Sequence, residues 1–336
     1  MKTYLITGGA GFIGSNYIHY LMQNLKEEIK IINLDALTYC ARPSNVSCYE
    51  GSSGYRFVKG DICEEALLEE LFAKNDIDYV VHFAAHSHVD RSIRSPKEFA
   101  RVNVCGTLSL LDAAKNAWER DFSGKRFLYI STDEVYGELN GPGKFTENTP
   151  LHPRNPYSAS KAGGDHMARA YYETFGLPVL VTRCSNNYGP YQYQEKFIPN
   201  CILCCQKGQP IPVYGDGLNI RNWLYVSDHL SAIDKVLKGG RIGEVYNIGA
   251  EKDYTNLEII KSITSILKNE YQMSIPSIEF IEDRKGHDRR YSMDAAKLQK
   301  ELGWMQEVSF EEGIRRTVGW YMENRDFMDS PAFPSH

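Results

Sequence analysis

The chain has 336 residues, 42% of them hydrophobic, and a formal net charge of −5. That is enough apolar material for a large buried core, no apolar run approaches the ~18 residues of a membrane span, and mild acidity without a basic block gives no electrostatic case for nucleic acid. The 8 cysteines are scattered; Cys201-x-x-Cys204-Cys205 lacks the His or Cys pair that would complete a zinc set, so reduced thiols and no metal are expected.

Tyr4-Leu5-Ile6-Thr7 reads as a short buried strand, placed so early that no signal peptide is expected and a cytoplasmic protein is. Gly8-Gly9-Ala10-Gly11-Phe12-Ile13-Gly14 follows, then a helical run to about Leu25. Strand, glycines and helix start make a phosphate-binding turn, because glycines admit a close pyrophosphate and the helix N-terminus offers free N–H groups. The spacing of Gly8, Gly11 and Gly14 is G-x-x-G-x-x-G rather than G-x-G-x-x-G. A second buried strand, Ile29 to Leu34, ends in Asp35, about 20 residues on, where a carboxylate accepts ribose hydroxyls and repels a 2′-phosphate. NAD is therefore expected over NADP.

Tyr55 to Val58 is a further strand leading to Asp61-Ile62, placed to meet the adenine, and Glu64 to Lys74 reads as a helix. Tyr79 to Phe83 is another buried strand, with Ala84 and Ala85 after it small enough to let a cofactor lie close. His86 and His88 follow in a loop, and Pro96 to Trp118 reads as one long helix containing Asn103. Strands alternating with helices at this spacing predict an α/β fold, a doubly wound parallel sheet of Rossmann type.

Arg126 to Ile130 is a strand that ends in Ser131-Thr132-Asp133-Glu134-Val135-Tyr136-Gly137, placing proton-handling groups where an open α/β sheet binds ligands. Tyr157-x-x-x-Lys161 opens a helix running to about Phe175, and the i, i+4 spacing puts phenol and ammonium on one face. A neighbouring ammonium favours the phenolate and makes a base of the tyrosine. Pro178 to Thr182 is the next strand. Beyond it the chain turns polar and aromatic, with basic residues spaced along acidic sequence in a manner suited to a second, phosphate-bearing ligand. A last helix is expected from about Phe310 to Asn324.

Gly8-x-x-Gly11-x-x-Gly14 with Tyr157-x-x-x-Lys161 resembles the extended short-chain dehydrogenase/reductases that act on nucleotide sugars. Within them, Thr132-Asp133-Glu134-Val135-Tyr136-Gly137, Ser87-His88-Val89-Asp90-Arg91-Ser92, Ser185-Asn186-Asn187-Tyr188-Gly189-Pro190-Tyr191 and Gly286-His287-Asp288-Arg289-Arg290-Tyr291 are similar to the 4,6-dehydratase branch. The resemblance implies Thr132, Asp133, Glu134, Tyr157 and Lys161 as catalytic residues. It implies cofactor contacts from Gly8, Gly11, Phe12, Ile13, Gly14, Asp35, Ala36, Leu37, Thr38, Asp61, Ile62, Ala84, Ala85, Ser87, Asn187, Tyr157 and Lys161. It implies nucleotide-sugar contacts from Ser87, His88, Thr132, Asn186, Lys196, Phe197, Pro212, Val213, Tyr214, Arg221, Asn256, Arg284 and His287.

On that resemblance, residues 1–183 form the NAD-binding domain, with sheet and helix contributions continuing near 220–250. Residues 184–325 form a smaller, mixed α/β cap that binds the nucleotide-diphosphate sugar, and 326–336 a polar tail. The implied reaction is 4,6-dehydration of a nucleotide hexose, with dTDP-glucose leading and UDP-glucose or UDP-N-acetylglucosamine open. A homodimer is implied through the helices from about Pro96 and Tyr157. The chain departs from the branch at Val102, Gly163-Gly164, Gln194, Phe197, Asn222 and Lys285. A 4-epimerase or decarboxylase would use the same Tyr–Lys pair but has no need of Asp133 and Glu134. A non-enzymatic NAD-binding protein would be expected to have lost one of these groups.

Overall fold

The structure, a computed structural model, describes residues 1–24, 28–119 and 121–329. Seven strands make one parallel sheet: β1 (Lys2–Thr7), β2 (Ile29–Asp35), β3 (Tyr55–Lys59), β4 (Tyr79–His82), β5 (Arg126–Thr132), β6 (Val179–Cys184) and β7 (Val245–Ile248). Their spatial order is β3-β2-β1-β4-β5-β6-β7, reversing between β1 and β4. This is the doubly wound arrangement expected from the strand–helix alternation.

The period of two along each strand divides the core. Tyr4, Ile6, Leu128, Ile130 and Leu180 face one side, where they pack with residues of the helices Phe12–Asn24, Val226–Gly239 and Ala296–Leu302. Leu5, Phe127, Tyr129, Val179 and Val181 face the other and meet the helices Glu65–Lys74, Thr107–Ala117 and Pro156–Phe175. Burial on both faces explains why these strands read as continuous apolar runs.

A third cluster gathers the helices Phe197–Lys207, Asn256–Tyr271 and Phe310–Glu323. Two small sheets accompany it: Asp253–Thr255, Ile220–Tyr225 and Asn186–Tyr188 in one, Ile278–Ile281 and Ile211–Tyr214 in the other. Cys201, Cys204 and Cys205 are buried in this cluster. Among the described residues, no group of three His, Cys, Asp or Glu converges to hold a metal, and no helix is long and apolar enough to cross a membrane.

The sequence reading is corrected in two places. The single helix over 96–118 is three pieces, Pro96–Ala100, a π-helical turn Arg101–Gly106, and Thr107–Ala117. Residues 326–329, read as the start of a polar tail, belong to a helix Arg325–Asp329 in which Met328 is 1% exposed and Phe327 packs edge-on to Trp320. Residues 330–336 lie outside the described residues.

The helix Pro156–Phe175 is the best delimited. Asn155 and Ser158 form a reciprocal capping box (2.9 and 3.2 Å), Pro156 occupies the first turn, and Gly176 ends the helix in the left-handed region. Its interior holds Gly163 and Gly164, which weaken a helix by roughly 0.5–1 kcal/mol each relative to Ala. Packing accounts for them. A Cβ on Gly164 would lie 2.3 Å from the Tyr129 hydroxyl and 2.6 Å from the Asn103 carbonyl, and one on Gly163 would lie 2.8 Å from Val104. The π-helical turn thus presses against this helix where only glycine leaves room.

Gly164→Ala should therefore destabilise, by about 1–3 kcal/mol for an overpacked site, although Gly-to-Ala in an ordinary helix interior stabilises. A thermal melt that showed stabilisation would rule out the close contact.

Candidate active site

The cleft opens at the carboxyl ends of the strands, where the order reverses between β1 and β4. Its volume, counted out to solvent, is about 1610 Å³. Gly8 sits at φ +74°, and a Cβ there would come 2.7 Å from the Ala84 nitrogen; a Cβ on Gly14 would come 2.4 Å from the Gly8 carbonyl. Both are fixed by packing, whereas Gly11 faces the cleft, with only the Gly8 carbonyl at 3.3 Å from a built Cβ. Phe12, Ile13 and Gly14 line the cleft in the first turn of their helix, where backbone N–H groups lack intrahelical partners.

Asp35 ends β2 and accepts the backbone N–H of Ala10 (2.9 Å) and of Leu37 (2.8 Å). Burial pushes its pKa up, and those two hydrogen bonds pull it back. Ala36 and Thr38 line the cleft beside it; Leu37, in the left-handed region, contributes its backbone only to Asp35 and does not line it. Asp61, paired to Arg101 at 3.0 Å, and Ile62 form the far wall, and Ala84, Ala85 and Ser87 the near one. Ser131 Oγ, Ser185 Oγ, Asn187 Oδ1 and Gln192 Oε1 are buried along the cleft without a protein partner, as groups are that meet a polar ligand. A glycine cradle, an acid at the end of β2 and small residues after β4 fit a dinucleotide.

Thr132 ends β5, and a 3₁₀ turn Asp133–Tyr136 follows. The Thr132 hydroxyl donates to Asp133 Oδ1 (3.2 Å) and accepts the Glu134 N–H (3.4 Å). Asp133 is 1% exposed, and its Oδ2 has no partner. Burial first, then the Glu134 charge, pushes its pKa up to about 8. It is a neutral acid at neutral pH. Glu134 is half-buried and accepts from Asn155 Nδ2 at 3.5 Å.

Tyr157 and Lys161 face the same cleft. The expected phenol–ammonium interaction is not what governs them. Lys161 Nζ donates to the Ile130 carbonyl at 2.7 Å and lies 4.2 Å from the Tyr129 ring centroid, and burial pushes its pKa down to about 8. Burial and then the Glu134 charge raise the Tyr157 pKa well above its ordinary value, opposed by a hydrogen bond to Thr132. The phenol is protonated here, held so first by burial and then by an anionic neighbour.

Of the residues assigned to the nucleotide sugar, Ser87, Thr132, Asn186 and Lys196 line this cleft, Lys196 donating to the Ser87 carbonyl at 3.1 Å. His88 stands behind it, accepting from the Arg91 N–H and lying 3.5 Å from Glu195. The others are not lining residues. Arg221 is 5% exposed and donates to the carbonyls of Ile220, Asp288 and Arg289, yet its charge reaches Asp133 and Glu134. His287 is bonded to Asp283 at 2.6 Å, with Tyr214 edge-on to it and Arg284 and Arg221 acting on it. Val213 is buried in the third cluster, Pro212 precedes it, and Phe197 stacks on Trp223. Asn256 begins its helix with its N–H on the Asn219 carbonyl.

The structure gives roles to two residues that the sequence reading names without one. Asn103, in the π-helical turn, accepts the His86 N–H at 2.8 Å and donates to the His86 carbonyl and to Ser160 Oγ at 3.0 and 2.8 Å. It pins the loop after β4 to the helix bearing Tyr157. The signal was a buried asparagine inside an apolar helical pattern. Asn222 makes four hydrogen bonds, to Ala250, Lys252 and Asp253, three of them as donor. An aspartate could not make those three, so this departure from the branch is structural.

The GDP-mannose 4,6 dehydratase family matches residues 5–317. A dTDP-glucose 4,6-dehydratase of Xanthomonas campestris pv. campestris is 48% identical, over 98% of this chain and 95% of its own. The low-salt glycan biosynthesis protein Agl12 of Haloferax volcanii is 51% identical, over 95% and 98%. The crystal structure of dTDP-glucose 4,6-dehydratase from Bacillus anthracis in complex with NAD superposes with a TM-score of 0.88 at 46% identity, covering 98% of this chain and 99% of that one.

Asp133 carries a pH signature. Its carboxyl titrates near 8 when folded and near ~3.9 in an unfolded chain. The folded state therefore keeps a proton that the unfolded state releases, and the stability this confers is full below about pH 4 and lost as pH rises to about 8. Asp133→Asn removes the titration. Its melting temperature relative to the parent should climb across that window and level off above it; a constant difference would refute the raised carboxyl.

Proposed function

The chain belongs to the GDP-mannose 4,6 dehydratase family, and on that premise we propose that it is an NAD-dependent nucleotide-diphosphate-hexose 4,6-dehydratase, a hydro-lyase making a 4-keto-6-deoxy sugar from dTDP-glucose. One observation carries the reading: a buried, protonated Asp133 beside Glu134 at the end of β5, on the same cleft as Tyr157 and Lys161. Removing water from a sugar needs an acid and a base on different atoms. A 4-epimerase needs neither carboxyl.

The cleft's glycine turn, Asp35, Ala84 and Ala85 hold the dinucleotide, with Asp35 favouring NAD. NAD, when bound, would supply a hydride acceptor for C4 and a hydride donor for C6, and its oxidised ring would supply positive charge that favours a phenolate at Tyr157. Tyr157 takes the proton of the C4 hydroxyl, with Thr132 as its hydrogen-bond partner; the anionic neighbour makes that added cation necessary. Lys161 holds its place on the Ile130 carbonyl. Once C4 is a ketone, Glu134 removes the acidified C5 proton, and it returns that proton to C5 when the hydride has reached C6. Asp133 delivers its own proton to the departing C6 hydroxyl. Asn186, Lys196 and, through its field, Arg221 supply the polar and cationic contacts that a nucleotide diphosphate needs.

A cytoplasmic homodimer fits the same reading. Ile93 and, on the helix Pro156–Phe175, Met167 and Phe175 are 39%, 38% and 48% exposed, and a two-fold contact would cover such residues. A monomeric mass by light scattering at micromolar concentration would exclude it.

The test incubates the protein with dTDP-glucose, UDP-glucose and UDP-N-acetylglucosamine and follows loss of water by mass. The first should be consumed fastest, and dTDP-glucose deuterated at C4 should give product deuterated at the C6 methyl. Tyr157→Phe should block the reaction before NADH forms. Asp133→Asn and Glu134→Gln should still form NADH but lose water about 10²–10⁴-fold more slowly. Near-parental dehydration by both carboxylate variants would reduce the Thr-Asp-Glu turn to a structural one.

A further inference from the structure

The Tyr–Lys pair and the carboxylate pair sit on different elements, and a buried polar bridge joins those elements outside the cleft. Arg183, near the end of β6 and 1% exposed, forks onto Asp165 through Nε (2.8 Å) and Nη2 (2.9 Å). Its remaining donor, Nη1, reaches the Tyr136 hydroxyl at 2.9 Å. Asp165 is fully buried on the helix Pro156–Phe175 and shares the face of Tyr157 and Lys161, at i, i+4 and i+8. Tyr136 is the last residue of the turn that begins at Asp133. Its hydroxyl donates onward to Asn247 Oδ1 at 2.8 Å, and its ring stacks on Phe145 at 5.0 Å.

A buried ion pair is weak evidence for stability, since apolar residues of equal volume often serve as well. What the fork supplies is geometry. Two donors fix the guanidinium plane against the helix, and the third aims it at the turn, so the distance between the two elements is held to hydrogen-bond tolerance. None of Arg183, Asp165, Tyr136 and Asn247 lines the cleft, and all four are buried.

We propose that Arg183 and Tyr136 are positioning residues for the elimination, locking the turn of Asp133 and Glu134 to the helix of Tyr157 and Lys161 so that both pairs meet one sugar. This rests on the dehydratase reading above. Its consequence is a split between the two halves of the reaction. Tyr157 rides on a helix that keeps the Arg183–Asp165 pair when the hydroxyl of Tyr136 is removed, whereas the carboxylates ride on the turn, which then keeps only the 3.5 Å contact of Glu134 with the helix cap Asn155.

Tyr136→Phe keeps the ring and its stacking and deletes only the hydroxyl. In single turnovers with dTDP-glucose, NADH formation should stay within about twofold of the parent, while water loss slows about 10–100-fold, the scale of a displacement near 1 Å. NADH absorbance should therefore accumulate. NAD binding and the melting curve report whether the variant is folded; if it is not, Arg183→Lys, which keeps a cation at Asp165 but gives up the fork, should show the same split. Equal slowing of both halves, slowing of neither, or unfolding of both variants would overturn the positioning role. A parent protein that dehydrates no nucleotide sugar would overturn the dehydratase reading and this proposal with it, whereas a dehydrating parent and an unsplit variant overturn this proposal alone.

Discussion

Two adjacent carboxyl groups at the end of one strand cannot both be ionised when one of them is out of water, and most of the site follows from that constraint. Asp133 is enclosed and Glu134 is half-buried. The enclosed group pays the larger desolvation penalty and keeps its proton. Chain neighbours of the same chemistry thereby become an acid and a base. Arg221, held on three backbone carbonyls, sits close enough to act on both carboxyls without an ion pair that would ionise Asp133 outright.

The parallel sheet turns this local split into a site. Every strand of the sheet runs the same way, so β1, β2, β4, β5 and β6 deliver their last residues to one edge. Distance along the sequence ceases to matter there. What must then be controlled is the spacing between elements, and it is controlled by polar groups in dry surroundings. Asn103 fastens the loop after β4 to the helix of Tyr157, and the π-helical turn that carries it fits against Gly163 and Gly164. Such groups are costly when unpaired, which makes their paired arrangement specific.

The legibility of the fold in the sequence follows the range of the forces involved. Strands buried on both faces are short apolar runs, and six of the seven strands of the sheet are read from the sequence, whereas β7 (Val-Tyr-Asn-Ile) is covered only by the sheet contribution expected near 220–250. Asp35 and the glycines were legible because their work is local to one strand–turn–helix unit. The break at Arg101–Gly106 was not, since its apolar periodicity continues through the π-helical turn and only the packing of Gly164 against it shows the change of pitch. The tail was misread because Phe327 and Met328 bury themselves against distant residues, among them Arg42, whose guanidinium lies 4.1 Å from the Phe327 ring centroid. Lys161 lines the cleft with Tyr157, but the partner of its ammonium was not legible, because Ile130 is adjacent only through β5. Residues from 212 onward were assigned to the sugar by resemblance, and none of those assigned lines the cleft.

One charge ties the two halves of the proposed chemistry together. The Glu134 carboxylate is the leading electrostatic cause, after burial, of the raised pKa at both Asp133 and Tyr157. While Glu134 is ionised, Asp133 holds its proton firmly and cannot release it prematurely. When Glu134 accepts the C5 proton in its proposed role, that negative charge disappears, and with it the second cause, after burial, of the raised Asp133 pKa. Asp133 then becomes a stronger acid at the moment the C6 hydroxyl requires a proton. The proposed order of proton transfers, base first and acid second, follows from that repulsion acting on top of the burial of Asp133.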